Sequence, residues 1–552
     1  MFELAGDPEE TLDRHRCQAE RQLVDDQHVG LMAERRRQGE DLFESTIAVE
    51  VVALALMGRY SYGWRMLTPV RSTVLMGFYF FPRGGSAQVA RYLCRALAGS
   101  PWRLTLFSGS LGTSSDTSNA ERFFGGIECR SLDYSPAKAS WATGRDSMLA
   151  AVPMHASYED RPQVADRVFV DLDDAAFNRQ VTGWTKFLSV QTCTPSVLHL
   201  HHLTPIHEAA MGLWPDTPVV THLHGTELMM LAAERAGRRS RHGSPFGVEW
   251  VERMRRWAAA SDRLVVVSSH DRELAGELLE VDPERFAIVA NGVDTEVFTI
   301  RVPRFCDHRA RWTRWLVDDP RGWRPGGDEG SIRYEHDDLA AFSDDAGEPV
   351  PVVLFVGRFL RFKRLQLLIE AHHQIRSTTG LRSVLVIVGG FVGEWEGEHP
   401  YDTVQRLGAV GVYFVGWRDH HELAEILGCS DVLAAPAVDE PFGLVYLEAM
   451  AAGVPPIATD TGGPRSFINV DPTLPTGWLV APDDVGATAA ALAEAVSDPV
   501  GRCERGERAA RYVAEKYSWT ATAATFSKMY RDVIEERAPI KRQSEPTTSG
   551  VA

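Results

Sequence analysis

Lysine is scarce in this chain. Of 58 basic side chains, 52 are arginine and 6 are lysine, so the place of each lysine carries information. Basic charge is in deficit as a whole, because 75 acidic side chains leave a formal charge of -17. That excludes a general nucleic-acid binder, whose affinity rests on neutralising many phosphates over a basic face. A single basic loop gripping one phosphate group stays compatible. Cysteine is sparse too: Cys17, Cys94, Cys129, Cys193, Cys306, Cys429 and Cys503 are odd in number, scattered, and never at metal-ligand spacing. A disulfide scaffold is thereby excluded, and inert thiols in a reducing cytoplasm are expected. Long apolar runs are missing as well. The longest, Ile47 to Met57, is broken by Glu50 and falls far short of the roughly 20 residues of a membrane span. A peripheral membrane contact stays open. The first residues are acidic and no basic stretch leads into an apolar one, so no secretion signal is expected.

What is present is an ordinary globular composition, 44% apolar and 24% charged. A chain of 552 residues exceeds what one hydrophobic core usually serves, so two large domains are expected. Residues 1–69 have a charged, helical texture and read as an N-terminal extension suited to docking or homo-oligomer formation. From Thr73 an α/β rhythm begins, with short apolar runs at Thr73–Phe80, Arg103–Phe107, Arg167–Val170, Val197–His201, Val219–Leu223, Leu264–Ser268 and Ala287–Val289. Helical stretches such as Ala87–Leu97 and Val248–Ala260 separate them, and the pattern predicts a parallel sheet covered on both faces over 70–300. Residues 301–350 interrupt it with 8 arginines, 11 acidic residues and several Pro and Gly. They read as a solvent-facing insertion with one short helix near Arg311–Val317. The rhythm resumes over 351–500 at Val352–Val356, Ser383–Val388, Gly411–Val415, Val432–Ala435, Pro456–Thr459 and Gly477–Val480. Two helices follow over 501–536, then a polar tail, 537–552, expected to be disordered. The fold class is therefore α/β, with two doubly wound Rossmann-like domains facing across a cleft where the carboxyl ends of both sheets converge.

The loop Gly357-Arg358-Phe359-Leu360-Arg361-Phe362-Lys363-Arg364 lies between a strand and a helix, at such a carboxyl edge. Arg358 and Lys363 beside a helix N-terminus suit a diphosphate, although four cations in one loop are also what a solvated loop would show. After Val432–Ala435 comes Asp439-Glu440-Pro441-Phe442-Gly443-Leu444, with Glu448 further along. Glu440 belongs at the strand-to-helix turn, and Glu448 about two turns inside the helix, roughly 12 Å on. One carboxylate suits sugar hydroxyls and the other a ribose diol, while the amides near Gly443 and Leu444 can cap a phosphate. As a plain helix-start charge Glu440 would need no ligand; Glu448, in an apolar helix, must be paired. The run ending in Gly462-Gly463 lets a ligand lie against backbone.

In the first domain Arg83-Gly84-Gly85 follows the first strand without the spacing of a dinucleotide fingerprint or a P-loop, so nicotinamide and ATP gain no support. Thr221-His222-Leu223-His224-Gly225-Thr226-Glu227 ends a strand at the same edge, and His224 lies nearer the cleft. His199, His201 and His202 sit on a neighbouring strand. With no cysteine nearby and no HExxH spacing, these imidazoles are read as hydrogen-bonding and structural groups, and no metal site is expected. Asp171, Asp173 and Asp174 read as a polar turn.

These segments, in this order, resemble the family-4 retaining glycosyltransferases of the GT-B fold. The likeness runs from about Val74 to Ile534 without the insertion, and its most specific part is Glu440 to Glu448 in EPFGLVYLEAM. Asn291-Gly292-Val293-Asp294 with Phe298, Gly357-Arg358 with Lys363, Gly453 to Gly463, and Tyr517-Ser518-Trp519 with Tyr530 also fit. The resemblance implies a hexosyltransferase using a nucleotide-sugar donor, most often a UDP-sugar, and no tightly bound cofactor. It implies that Arg358 and Lys363 hold the diphosphate, Glu448 the ribose, and Glu440 the donor sugar. His224 would touch the sugar beside the anomeric carbon, Gly85 would approach the phosphates, and Val415-Gly416-Trp417-Arg418 would bracket the base. The His-Gly-Thr-Glu run is similar to that of enzymes acting on small hydroxyl acceptors, with Glu227 where Asp is usual. Arg364 stands where the family usually has glycine. A sugar-nucleotide epimerase and a non-catalytic sugar-nucleotide binder are the alternatives. A phosphorylase would need a cleft lysine for pyridoxal phosphate, and none suggests itself late in the chain.

Overall fold

The computed structural model describes residues 72–161, 164–191, 193–300 and 308–537. The expected N-terminal extension and the tail beyond Arg537 lie outside the described residues. Seven strands, β1 (Thr73–Phe78), β2 (Arg103–Ser110), β3 (Cys129–Asp133), β4 (Val197–His201), β5 (Val219–His222), β6 (Arg263–Val266) and β7 (Phe286–Ile288), form the first sheet in the order β3-β2-β1-β4-β5-β6-β7. Six more, β8 (Val352–Val356), β9 (Val384–Val388), β10 (Val412–Gly416), β11 (Val432–Ala435), β12 (Pro456–Thr459) and β13 (Trp478–Val480), form the second in the order β10-β9-β8-β11-β12-β13. Neighbours are parallel in both sheets. Parallel strands need crossover connections, so helices cover both faces and central strands become apolar throughout. β9, Val-Leu-Val-Ile-Val, is buried at all five positions. Both sheets thus belong to the Rossmann-like class expected, and they lie within one compact unit, Arg71–Ala552.

Strand order decides where chemistry can occur. The order reverses between β1 and β4 in the first sheet and between β8 and β11 in the second. At such switch points the loops leaving neighbouring strands part to opposite faces and open a crevice. The loop after β1 runs into Gly84-Gly85, the first residues of the helix Gly84–Leu97, and the loops after β8 and β11 carry Arg358-Lys363 and Glu440-Gly443 respectively.

The last helix, Trp519–Arg537, returns to the first domain. Trp519, Ala523, Phe526, Met529, Tyr530 and Val533 join the core that β1 shares with the helix Gly84–Leu97. Trp102 donates its indole N–H to Ser527, and Val293 bridges to Ser518. A side chain on Gly292 would place its Cβ 2.6 Å from the Trp519 nitrogen, so this crossing requires glycine there. No helix among the described residues is long and apolar enough to cross a membrane.

Two local expectations are corrected, and one strand was missed. Arg167–Val170 is not a strand: its end is a short 3-10 turn, Phe169–Asp171, because Val168 makes a single bridge to Ser157 and no ladder. The edge strand β3, polar and half-exposed, was not legible from its sequence. The segment 301–350 is not a solvent-facing loop where it is described. Trp312, Trp315, Leu316, Trp323, Ile332, Leu339, Phe342 and Val350 are buried in the second domain's core. The Tyr413 hydroxyl donates to the Asp338 carbonyl at 2.6 Å, and the Phe414 amide donates to the Tyr334 hydroxyl at 2.9 Å. The insertion therefore covers β10, an edge strand that would otherwise offer unpaired backbone groups. Arg314, Arg324, Arg333 and its described acidic residues are exposed, and its tryptophans determine its place.

Candidate active site

Gly357 follows β8, and the short 3-10 turn Arg361–Lys363 leads into the helix Leu365–Thr379. Arg364, between them, has φ +52°, the left-handed conformation that glycine adopts without strain. A pair with Asp483 accompanies it. Trp323 of the insertion stacks on Phe359, ring centroids 5.6 Å apart, so the insertion buttresses the loop that holds Arg358.

Opposite this loop, Gly443 has φ +84° and opens the helix Leu444–Ala451 with no side chain capping its first amides. The mouth is uncapped by construction and electropositive. Glu440 precedes it, 8% exposed, and its carboxylate pairs with the Lys363 ammonium. The glycine pair closes on the same turn. Gly463 donates to the Glu440 carbonyl at 2.7 Å, and a Cβ on Gly462 would sit 2.4 Å from that oxygen. Glycine is required there so that backbone can support Glu440. Glu448 sits one turn inside the helix rather than two, because the helix begins at Leu444 and not near Glu440. Burial pushes its carboxyl up to about 8, and His420 Nδ1 lies 3.7 Å away. Trp417 pairs loosely with Phe391, centroids 6.4 Å apart, beyond the ends of β10 and β9.

The first domain meets this mouth directly. A Cβ on Gly225, φ +89°, would fall 2.3 Å from Pro441 Cβ, and one on Gly85 would lie 3.9 Å from Leu444 Cδ1. The His224 turn thus abuts the residue after Glu440. His224 Nε2 is 2.8 Å from His201 Nδ1. Burial, with His222, His202 and other imidazoles beside it, holds His224 well below the usual histidine range, so its ring is neutral. Glu227 turns inward: it accepts from the His224 amide at 3.0 Å and pairs with His202 at 3.1 Å. Fully buried, it orients the histidine turn. Asp271, buried near Glu227 and Glu440, is pushed up to about 7 by burial and by those charges.

Arg358 does not stand free. Its guanidinium forks onto Glu159 of the first domain, Nη1 to Oε1 2.7 Å and Nη2 to Oε2 2.6 Å. Arg83, Arg161, Asp166 and Glu394 complete the group, with Arg161 bonded to both Asp166 and Glu394. Burial alone would raise Glu159, but Arg358, Arg161 and Arg83 override it and pull the carboxyl down to about 2. Sequence reasoning missed Glu159, Arg161, Asp166, Glu394 and Asp271. Only the crowding of charge in Glu159-Asp160-Arg161 hinted at the first two. Arg418 is corrected. Its side chain is wholly buried and serves Asp319, Glu422 and the carbonyls of Trp315, Asp319 and Val415. It anchors the insertion, and its one nitrogen without a protein partner, Nε, is buried. Lys363, Glu440, Gly443 and Leu444 thus come together with Gly85 and the His224–Gly225 turn across the domains, Arg358 meets Glu159, and Glu448 lies one turn inside the helix.

The model of "Glycosyltransferase Family 4" matches residues 155–297 and that of "Glycosyl transferases group 1" residues 340–519, one on each domain. The chain belongs to glycosyltransferase family 4. Among its relatives, the D-inositol 3-phosphate glycosyltransferase of Stackebrandtia nassauensis is 31% identical over 52% of this chain and 57% of its own length. Its counterpart in Corynebacterium glutamicum is 30% identical over 50% and 58%. The glycogen synthase of Mycobacterium tuberculosis is 27% identical over 61% and 68%. The chain thus spans less than three fifths of the first two relatives. Among solved structures, a sucrose-phosphate synthase from Thermosynechococcus elongatus superposes with TM-score 0.59 at 19% identity, covering 84% of this chain and all of that one. Anabaena HepE in complex with UDP-glucose gives 0.55 at 15%, covering 83% and 99%. At these identities the likeness concerns the fold, GT-B.

Proposed function

We propose that this family-4 chain transfers a sugar from a nucleotide-sugar donor, a UDP-sugar, to a hydroxyl of a small acceptor, with retention at the anomeric carbon. The observation that carries the reading is the convergence of Lys363, Glu440 and the uncapped Gly443 helix mouth with the His224–Gly225 turn across the cleft. The bond from the anomeric carbon to the leaving phosphate oxygen breaks, and negative charge gathers on that oxygen. Lys363, Arg358 and the amides at Leu444 meet it with donors already in place, where preorganised charge contributes most to rate. Both cations are held by carboxylates before the donor arrives, so the diphosphate exchanges partners with Glu159 and Glu440 rather than ordering loose side chains. Glu440, released from Lys363, takes donor sugar hydroxyls, and neutral His224 hydrogen-bonds the sugar from the first domain. Glu448 receives the ribose, and Trp417 with Phe391 lines the seat of the base. The acceptor hydroxyl approaches from the first-domain side, on the face the nucleotide leaves, and its proton passes to the departing phosphate. Two cations and a helix mouth supply the charge that a divalent ion would otherwise supply at the leaving group.

A thermal-shift comparison of UDP-, GDP- and ADP-sugars, followed by mass spectrometry of products with small acceptors, tests this reading. Stabilisation by UDP-sugars and a product heavier than the acceptor by one sugar residue are expected. Interconversion of free nucleotide sugars, or binding without turnover, would replace it with an epimerase or a binder.

A further inference from the structure

Below His224 the structure holds three histidines that the transfer reaction does not use. His199 and His201 stand two apart on β4, on one face of the strand, and His222 lies directly across from His201 on β5. All three side chains are buried, at 0%, 0% and 1% exposure. Each offers a ring nitrogen that lies within 4.8 Å of the others.

The hydrogen bonds around them sort the nitrogens. His199 Nδ1 meets the Tyr530 hydroxyl at 2.6 Å, and His201 Nδ1 meets His224 Nε2 at 2.8 Å. His199 Nε2, His201 Nε2 and both nitrogens of His222 have no protein partner. Burial pushes all three imidazoles well below the usual histidine range, with neighbouring rings adding to it, so each carries a lone pair. Leaving several such groups unpaired in a space walled by Phe78 and Phe526 is costly. A ligating histidine bonded through its other nitrogen to a fixed partner is how metal sites hold ring orientation. Two histidines at i and i+2 on one strand with a third on the next strand can supply three ligands of a tetrahedral ion.

We propose that His199, His201 and His222 bind a divalent transition-metal ion of the zinc class, with Tyr530 and His224 as the groups that orient the first two rings. Three neutral imidazoles and no carboxylate among the ligands exclude calcium and magnesium as the intended ion. The rings now stack, His199 on His201 at 4.7 Å. Binding therefore turns them about χ2, closing ligand atoms no more than 4.8 Å apart to the roughly 3.3 Å that a tetrahedral zinc site requires. The ion ties β4 to β5, and through Tyr530 it ties both to the crossing helix. Through His201 it also holds His224 in register with Glu440. Its place is structural, beneath the site, and the departing phosphate does not depend on it. The inference rests on the histidine cluster alone and stands or falls apart from the donor chemistry.

The test uses the full chain, purified without a polyhistidine tag from zinc-supplemented medium, with metal measured by mass spectrometry after dialysis. About one equivalent per chain is expected, falling to about a tenth or less in His199→Gln and His222→Gln but retained in His207→Gln, a buried histidine outside the cluster. Cobalt added to chelator-stripped protein should give the visible bands of a four-coordinate ion, and stripping should lower the melting temperature. Wild-type protein without bound metal or cobalt bands overturns the proposal and leaves ordered water among the imidazoles. Metal retained in a His199→Gln/His222→Gln double variant overturns it as well. If a variant fails to fold, metal content and cobalt bands of the wild type still decide.

Discussion

Lys363 is one of six lysines, and its ammonium is already held by Glu440. Lys363→Ala is expected to cut turnover at least about 100-fold, since preorganised charge at a leaving group is worth several kcal/mol. Steady-state kinetics at saturating donor check this, and near wild-type turnover would remove Lys363 from the chemistry. Glu448 poses a different question. Burial lifts it to about 8 from an ordinary value of 4.5. The folded chain therefore keeps a proton through neutrality that the unfolded chain releases. Its contribution to stability is full below about 4.5 and is lost as pH climbs to about 8. Glu448→Gln keeps a neutral group, so its melting temperature should decline less than that of the wild type between about pH 5 and pH 9. Parallel melting curves would mean that Glu448 ionises like an exposed carboxyl. The same variant should bind UDP more weakly than Glu440→Gln does. Calorimetric titration of both variants checks it, equal losses counting against a ribose role.

At the scale of elements, the insertion is part of the second domain rather than an appendage to it. Trp323 is 2% exposed and stacks on Phe359, itself 3% exposed and adjacent to Arg358. Trp323→Ala should cost about 3–5 kcal/mol, the range for a large aromatic removed from a core. It should also weaken donor binding, because the platform under the Arg358 loop is lost. Denaturant unfolding with UDP titration checks both, and a stability loss with unchanged affinity would confine the insertion to covering β10. The sequence of 301–350 hid this. Its charge suggested solvent, yet the buried faces are spaced by Pro and Gly turns and show neither helical nor strand periodicity. Regular elements were legible because their periodicity is local. β8 was read at its observed limits, and the helix Trp519–Arg537 within two residues.

At the scale of the molecule, Arg358, the cation proposed for the diphosphate, bridges the two domains. Arg358 of one and Glu159 of the other, with Arg83, Arg161, Asp166 and Glu394, balance three guanidiniums against three carboxylates. If Glu159 competes with the diphosphate for Arg358, Glu159→Gln should tighten UDP binding at least about threefold by removing that competitor. Weaker binding would show instead that Glu159 positions Arg358 for the phosphates. Calorimetry separates the two outcomes.

Amino-acid order alone was enough for the two Rossmann-like halves and for placing Arg358, Lys363, Glu440 and His224 on loops at their carboxyl edges, because periodicity and loop position are properties of nearby residues. Folding in three dimensions chose the partners. Glu159 reaches Arg358 across 199 positions of chain, Arg418 turns to the insertion, and three histidines from two strands gather under Tyr530. A charge or a lone pair is satisfied by whatever segment the packing brings within about 3 Å, and no local pattern records which segment that will be.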